Sequence, residues 1–139
     1  MQSLRPFHLA IPVHDLSVCR VFYRDVLQMK EGRSAEKWVD FNFYGHQFVI
    51  HEVGEKSSDN LNYVDGHGVP VPHFGVVLTM KDWEVLSKRL QKIKIKFIIE
   101  PYVRFKGESG EQATMFFKDP SGNSLEFKAF NNLEMLFKK

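Results

Sequence analysis

The segment His8-Leu9-Ala10-Ile11 returns sixty-five positions later as His73-Phe74-Gly75-Val76, each time opening an alternating apolar run. Around both copies the periodicity predicts a strand, a helix and three more strands. In the first half "RPFHLAIPV" alternates as a strand, and Asp15 is placed to cap the helix "LSVCRVFYRDVL". "WVDFNFY" and "HQFVIHEV" follow as strands joined by a turn at Gly45. In the second half "PHFGVVLTM" leads to the helix "KDWEVLSKRLQKI" and the strands "KFIIEPYV", "ATMFFK" and "NSLEFKAF", the last two joined by "DPSG". The polar stretch between the halves reads as a mobile connection, and "NNLEMLFKK" as a short helical turn or a frayed end.

The expected fold class is therefore α+β, with two fused βαβββ modules in one domain spanning residues 1–139. Module 1 covers about 5–55, a linker about 56–70 and module 2 about 71–130. A chain of 139 residues, 43% of them hydrophobic, can bury one real core but not two independent ones.

Charge narrows the partners. Nineteen Lys and Arg against seventeen Asp and Glu leave a net charge of +2, and the basic residues are scattered, so no nucleic-acid footprint is expected. The single cysteine, Cys19, cannot form an intrachain disulfide or a cysteine-based zinc site, and it fits a reducing cytoplasm as a packed thiol. With no apolar run of membrane length and no signal-peptide pattern, a soluble, cytoplasmic protein without a membrane partner is expected.

Alternation assigns faces. Side chains two apart on a strand share a face, so His8 and Ala10 lie opposite Phe7, Leu9 and Ile11, which would face the helix layer, and His73 and Gly75 opposite Phe74 and Val76. Ser124, Glu126 and Lys128 likewise lie opposite Leu125 and Phe127. Laying the halves over each other, with the longer loop around "RFKGESGE" allowed for, sets "VIHEV" on "SLEFK" and matches His51 with Glu126. If the halves pack about a pseudo-twofold axis, His8, His73 and Glu126 meet in a cleft. Two imidazoles and a carboxylate form a ligand set that holds a divalent ion while leaving positions open for substrate, water or dioxygen.

Further residues suit substrate contact. Arg104 or Lys106, in a loop loosened by Gly107 and Gly110, could meet an anionic group, although a solvated loop explains them equally. Tyr102 and Gln112 could donate hydrogen bonds to a substrate or orient a metal ligand. Phe41, Phe43, Phe116 and Phe117 could wall a planar substrate, and core packing accounts for most of them. His14 reads as a surface residue, and His67 as an exposed residue able to close over the cleft.

"FHLAIPVHDL" with "FYRDVL", and "FFKDPSGNSLEF" with the ordered His, His, Glu pattern, resemble the vicinal oxygen chelate superfamily. That group holds glyoxalase I, extradiol dioxygenases, fosfomycin resistance enzymes and bleomycin-binding proteins. More narrowly, the chain is similar to small single-chain bacterial proteins described as predicted dioxygenases of the extradiol type. The resemblance implies two βαβββ modules whose sheets form a cup around a metal held by His8, His73 and Glu126. It also places His51 where glyoxalase-like members carry an additional glutamate, and it implies a homodimer.

Two departures bear on the reaction. Phe116 occupies the place of the tyrosine that extradiol enzymes carry about ten residues before the ligand glutamate, and the Gly107-Glu108-Ser109 region offers no histidine. His51, His46 and His67 are the available substitutes in acid–base chemistry, with His51 best placed. For a glyoxalase-type reaction the usual pair of carboxylates is broken by His51. The leading expectation is a dioxygenase using Fe(II) or Mn(II) on a small catechol-like substrate. The alternatives are a glyoxalase-type isomerase or lyase, with Zn(II) or Ni(II) also eligible, and a non-catalytic binding protein of the resistance kind.

Overall fold

Residues 4–54, 60–64 and 66–139 are described by a computed structural model of the chain. It separates into two units, Met1–Ser58 with Asp119–Asn123, and Asp59–Lys118 with Ser124–Lys139.

In the first unit, β1 (His8–Val13), β2 (Lys30–Ala35), β3 (Trp38–Phe43) and β4 (His46–Glu52) form one mixed sheet in the order β1-β4-β3-β2. β1 runs parallel to β4, and the other pairs are antiparallel. Between β1 and β2 lies α1 (Leu16–Val21), capped as expected by Asp15, whose carboxylate accepts from the Val18 N–H at 3.1 Å. The predicted helix does not continue as one α-helix to Leu27, because residues Phe22–Val26 form a π-helical turn. The wider turn accompanies burial of the consecutive Phe22 and Tyr23, whose rings meet edge-on at 5.2 Å. Tyr23 packs against Phe41 and Phe48 in a core shared with Val13, Val39 and Ile50.

The turn Asp119–Asn123 also belongs to this unit. Asp119 Oδ1 accepts from the N–H groups of Ser121 and Asn123, Oδ2 accepts from the Tyr23 hydroxyl at 2.7 Å, and Asn123 Nδ2 donates to the Pro12 carbonyl at 2.8 Å. Buried Ser121 accepts from the His14 N–H at 2.9 Å and lies 3.1 Å from Cys19 Sγ. His14 is thus part of an interior network and not the surface residue its neighbourhood suggests. Cys19 is fully buried, and burial, opposed by its hydrogen bond to Ser121, pushes its thiol pKa up to about 11.

The second unit contains β7 (His73–Phe74), β8 (Val77–Leu78), α2 (Met80–Lys92), β9 (Phe97–Arg104), β10 (Gln112–Lys118) and β11 (Ser124–Phe130). Its main sheet has the order β7-β11-β10-β9, with β8 also on β11. Thr79 caps α2 through the Asp82 N–H, and Trp83, Leu86 and Leu90 are its buried apolar stripe. Trp83 Nε1 donates to the Phe127 carbonyl at 2.9 Å. The connection between the modules also holds structure: β5 (Asn60–Val64) and β6 (His67–Val71) pair as a hairpin. Residues 55–59 and 65 of that connection lie outside the described residues.

Both units thus show the expected βαβββ succession of a strand, a helix and three more strands, the opening strand of the second broken into β7 and β8. Among the described residues the strands form separate sheets, one per unit beside the two-stranded hairpin, and the expected cupped sheet is not evident among them. Among the described residues no helix is long and apolar enough to cross a membrane.

Strand register corrects the overlay of the halves. His73 is paired with Ser124, so Glu126 lies two residues beyond the partner of His73. His8 is paired with Gln47, and the equivalent place on β4 is Val49. His51, paired with Pro12, stands where Lys128, paired with Val77, stands in the second unit. The overlay was out by two because a shift of two residues keeps every side chain on its face and leaves the alternation unchanged.

Candidate functional site

The second unit's sheet presents polar residues in cross-strand rows. Glu126 stands opposite Phe116, Lys128 opposite Thr114, Thr114 opposite Tyr102, and Gln112 opposite Arg104. These side chains, together with His73, line a cleft of about 270 Å³. The hairpin supplies more of the lining through Val64, His67 and Val69, and Val69 is buried with Ile99 and Phe116 against Tyr102. The His67 ring lies over Tyr102, with centroids 5.4 Å apart and planes tilted by 34°.

At the centre His73 Nε2 is 3.1 Å from Glu126 Oε2. His73 Nδ1 is 2.7 Å from the Pro70 carbonyl, which can only accept, so Nδ1 carries a proton and Nε2 is left to face the carboxylate. Glu126 Oε1 accepts from the Thr114 hydroxyl at 2.8 Å, with Lys128 Nζ at 3.8 Å. The hydrogen bond to Glu126 raises the His73 pKa above its ordinary 6.5 against the opposing effect of partial burial. Burial pushes Glu126 upward, but His73, Lys128 and Thr114 together prevail and hold it below 4.5. Phe116 meets the His73 ring edge-on at 5.1 Å.

Gly75 is what lets β11 come this close. A Cβ at position 75 would overlap the carbonyl oxygen of Glu126, so only glycine permits this backbone approach.

His73 and Glu126 of the expected ligand set, and Phe116, Tyr102, Arg104 and Gln112 of the expected substrate contacts, line this one cleft. His8 belongs to the first unit, where its Nδ1 is 2.8 Å from Gln47 Oε1. Both repeat-equivalent histidines thus have Nδ1 at an oxygen acceptor, which leaves Nε2 as the donor atom of each neutral ring. His51, exposed on β4 with its ring 6.5 Å from Trp38, does not line the cleft. On its own sheet it lies four residues along from the partner of His8, about 13 Å at strand rise. Thr114 and Lys128 are the polar lining residues that sequence reasoning gave no role. Thr114 shares the parity of Gln112 and Phe116, and that parity was a readable signal.

Two donors bound to one metal at about 2.1 Å, on adjacent coordination positions, stand about 3 Å apart. The 3.1 Å between His73 Nε2 and Glu126 Oε2 fits that separation, and Pro70 and Thr114 hold the two donors from behind. The fit extends to two protein ligands: among the described residues, no group of three or more His, Cys, Asp or Glu is arranged to hold a metal ion.

The family model described as Glyoxalase/Bleomycin resistance protein/Dioxygenase superfamily matches residues 5–127, and the chain belongs to that superfamily. Among solved structures it is similar to a glyoxalase/bleomycin resistance protein/dioxygenase from Alicyclobacillus acidocaldarius, at 31% identity over 96% of each chain and a TM-score of 0.77. It shares its fold with a lactoylglutathione lyase from Agrobacterium tumefaciens, at 18% identity, all of both chains and a TM-score of 0.67. The same holds for a fosfomycin resistance protein from Listeria monocytogenes, at 18% identity over 97% of this chain and 98% of that one, with a TM-score of 0.64. No curated protein matches the chain.

Proposed function

We propose that the second-unit cleft is the active site of a metal-dependent isomerase or lyase acting on a small compound with vicinal oxygens. His73 and Glu126 would be metal donors. The observation that carries this reading is the His73–Glu126 pair, set at the spacing of two metal ligands and held from behind on both sides. Imidazole nitrogen and carboxylate oxygen suit Mn(II), Fe(II), Ni(II) or Zn(II). A bound divalent ion would supply Lewis acidity to two neighbouring substrate oxygens.

The remaining work falls to this chain's own side chains. The Tyr102 hydroxyl and the Gln112 amide would bind and orient the substrate, while Phe116, Ile99 and Val69 exclude water. His67 would take a proton from a carbon beside the substrate carbonyl and return it to the adjoining carbon. This role replaces the one expected of His51.

The extradiol-type dioxygenase reading with Fe(II) draws less support. Phe116, which has no ionisable group, stands against His73 where that chemistry wants a proton donor. A non-catalytic binding role of the resistance kind is favoured by one observation, that no third donor joins the pair among the described residues.

The discriminating experiment is anaerobic incubation of Mn(II)- or Ni(II)-loaded protein with small hydroxycarbonyl compounds in D₂O, followed by NMR. Deuterium entering the carbon beside the carbonyl, lost in Glu126→Ala, supports the isomerase or lyase. Oxygen consumption with catechols in place of exchange would overturn it for the dioxygenase, and ligand binding that survives His73→Ala without exchange would overturn it for the binding protein.

A further inference from the structure

The charge of the cleft says what kind of substrate it receives, an inference that rests on reading the cleft as the active site. Lys128 is two residues from Glu126 on β11, on the same face, and its side chain is 37% exposed. Its Nζ is 3.8 Å from Glu126 Oε1, beyond hydrogen-bond distance, and that oxygen already accepts from Thr114 at 2.8 Å. The other oxygen of Glu126 faces His73. The ammonium therefore keeps N–H donors for a ligand. Arg104 contributes a second cation to the lining, where among the described residues Glu126 is the one carboxylate, and apolar walls at Val69, Ile99 and Phe116 strengthen the field inside.

We propose that Lys128, with Arg104, binds an oxyanion group of the substrate, so that the cleft selects small organic acids over neutral analogues bearing the same vicinal oxygens. A carboxylate beside a carbonyl is the simplest such group, with one oxygen pair offered to the His73–Glu126 end and the negative charge offered to Lys128.

The test is calorimetric titration of Mn(II)-loaded and chelator-treated protein with pyruvate and with its neutral isostere pyruvamide. Pyruvate is expected to bind at least tenfold more tightly than pyruvamide. Lys128→Met should weaken pyruvate about tenfold and leave pyruvamide unchanged, Lys128→Arg should keep most of the preference, and Lys88→Met, a charge-matched change on α2, should do nothing. Equal affinity for the two ligands, a preference unchanged in Lys128→Met, or no pyruvate binding up to about 10 mM overturns the proposal. Mn(II) uptake without the anion preference would overturn this inference alone. A Lys128-dependent preference in protein that takes up no metal would support it while overturning the metal reading.

Discussion

His73 Nε2 stands 3.1 Å from Glu126 Oε2, and the other polar atoms of both residues are engaged elsewhere, Nδ1 by the Pro70 carbonyl and Oε1 by the Thr114 hydroxyl. The pair is therefore oriented before any ligand arrives. A side chain held in this way loses little rotamer freedom on binding, which is the energetic advantage of a prebuilt half-site.

In chelator-treated protein this pair makes stability depend on pH. The folded-state pKa of His73 is raised, so its contribution is complete below 6.5 and is lost as pH rises through the raised value. That of Glu126 is lowered, so its contribution is complete above 4.5 and is lost as pH falls through the lowered value. The difference in thermal midpoint between wild type and Glu126→Gln should be greatest between pH 4.5 and 6.5 and shrink on either side. A difference independent of pH would contradict the assignment.

Thr114→Val removes the hydroxyl that orients Glu126 while keeping the side-chain shape. Metal affinity should fall about tenfold or more without being abolished, because the donors remain and only their support is lost. Competitive titration against a chromogenic chelator measures this, and an unchanged affinity would show that Thr114 does not position the carboxylate.

Gly75→Ala places a methyl group where the Glu126 carbonyl oxygen lies, so β11 or the β7–β8 segment must move. The expected loss is about 1–3 kcal/mol in urea unfolding, accompanied by weaker metal binding. In the first unit the equivalent residue is Ala10, on a β1 that runs unbroken, so Ala10→Gly should cost no more than about 1 kcal/mol.

Cys19 should resist alkylation in the native protein at pH 8. It is fully buried and its pKa is pushed up to about 11, so the reactive thiolate is scarce and sheltered. Labelling with iodoacetamide, followed by mass spectrometry with and without urea, reads the contrast. Fast native labelling would contradict the packing of Cys19 against Ser121.

Much of this was legible in the sequence. Alternation around His8 and His73 gave both faces except at Phe7, which precedes β1 and is exposed, Asp15 marked a helix start, and the parity of β11 set Glu126 opposite Leu125 and Phe127. What escaped depends on partners far along the chain. "KEGRSA" has no apolar alternation and becomes β2 by pairing with β3. Residues 60–71 read as a connection, yet form the hairpin that brings His67 to the cleft. The match of His51 with Glu126 came from an overlay that strand faces alone could not distinguish from one shifted by two. Lys128 occupies the position in the second unit that His51 holds in the first, so the same shift hid its significance.

The most direct test of the proposed metal site is the stoichiometry of Mn(II), Fe(II), Ni(II) and Zn(II) bound under anaerobic conditions, by elemental analysis of wild type beside His73→Ala and Glu126→Ala. The site proposed here predicts close to one ion per chain for at least one metal, lost in His73→Ala and Glu126→Ala. Wild type that binds none of the four, or an ion retained undiminished by both second-unit variants, would contradict it.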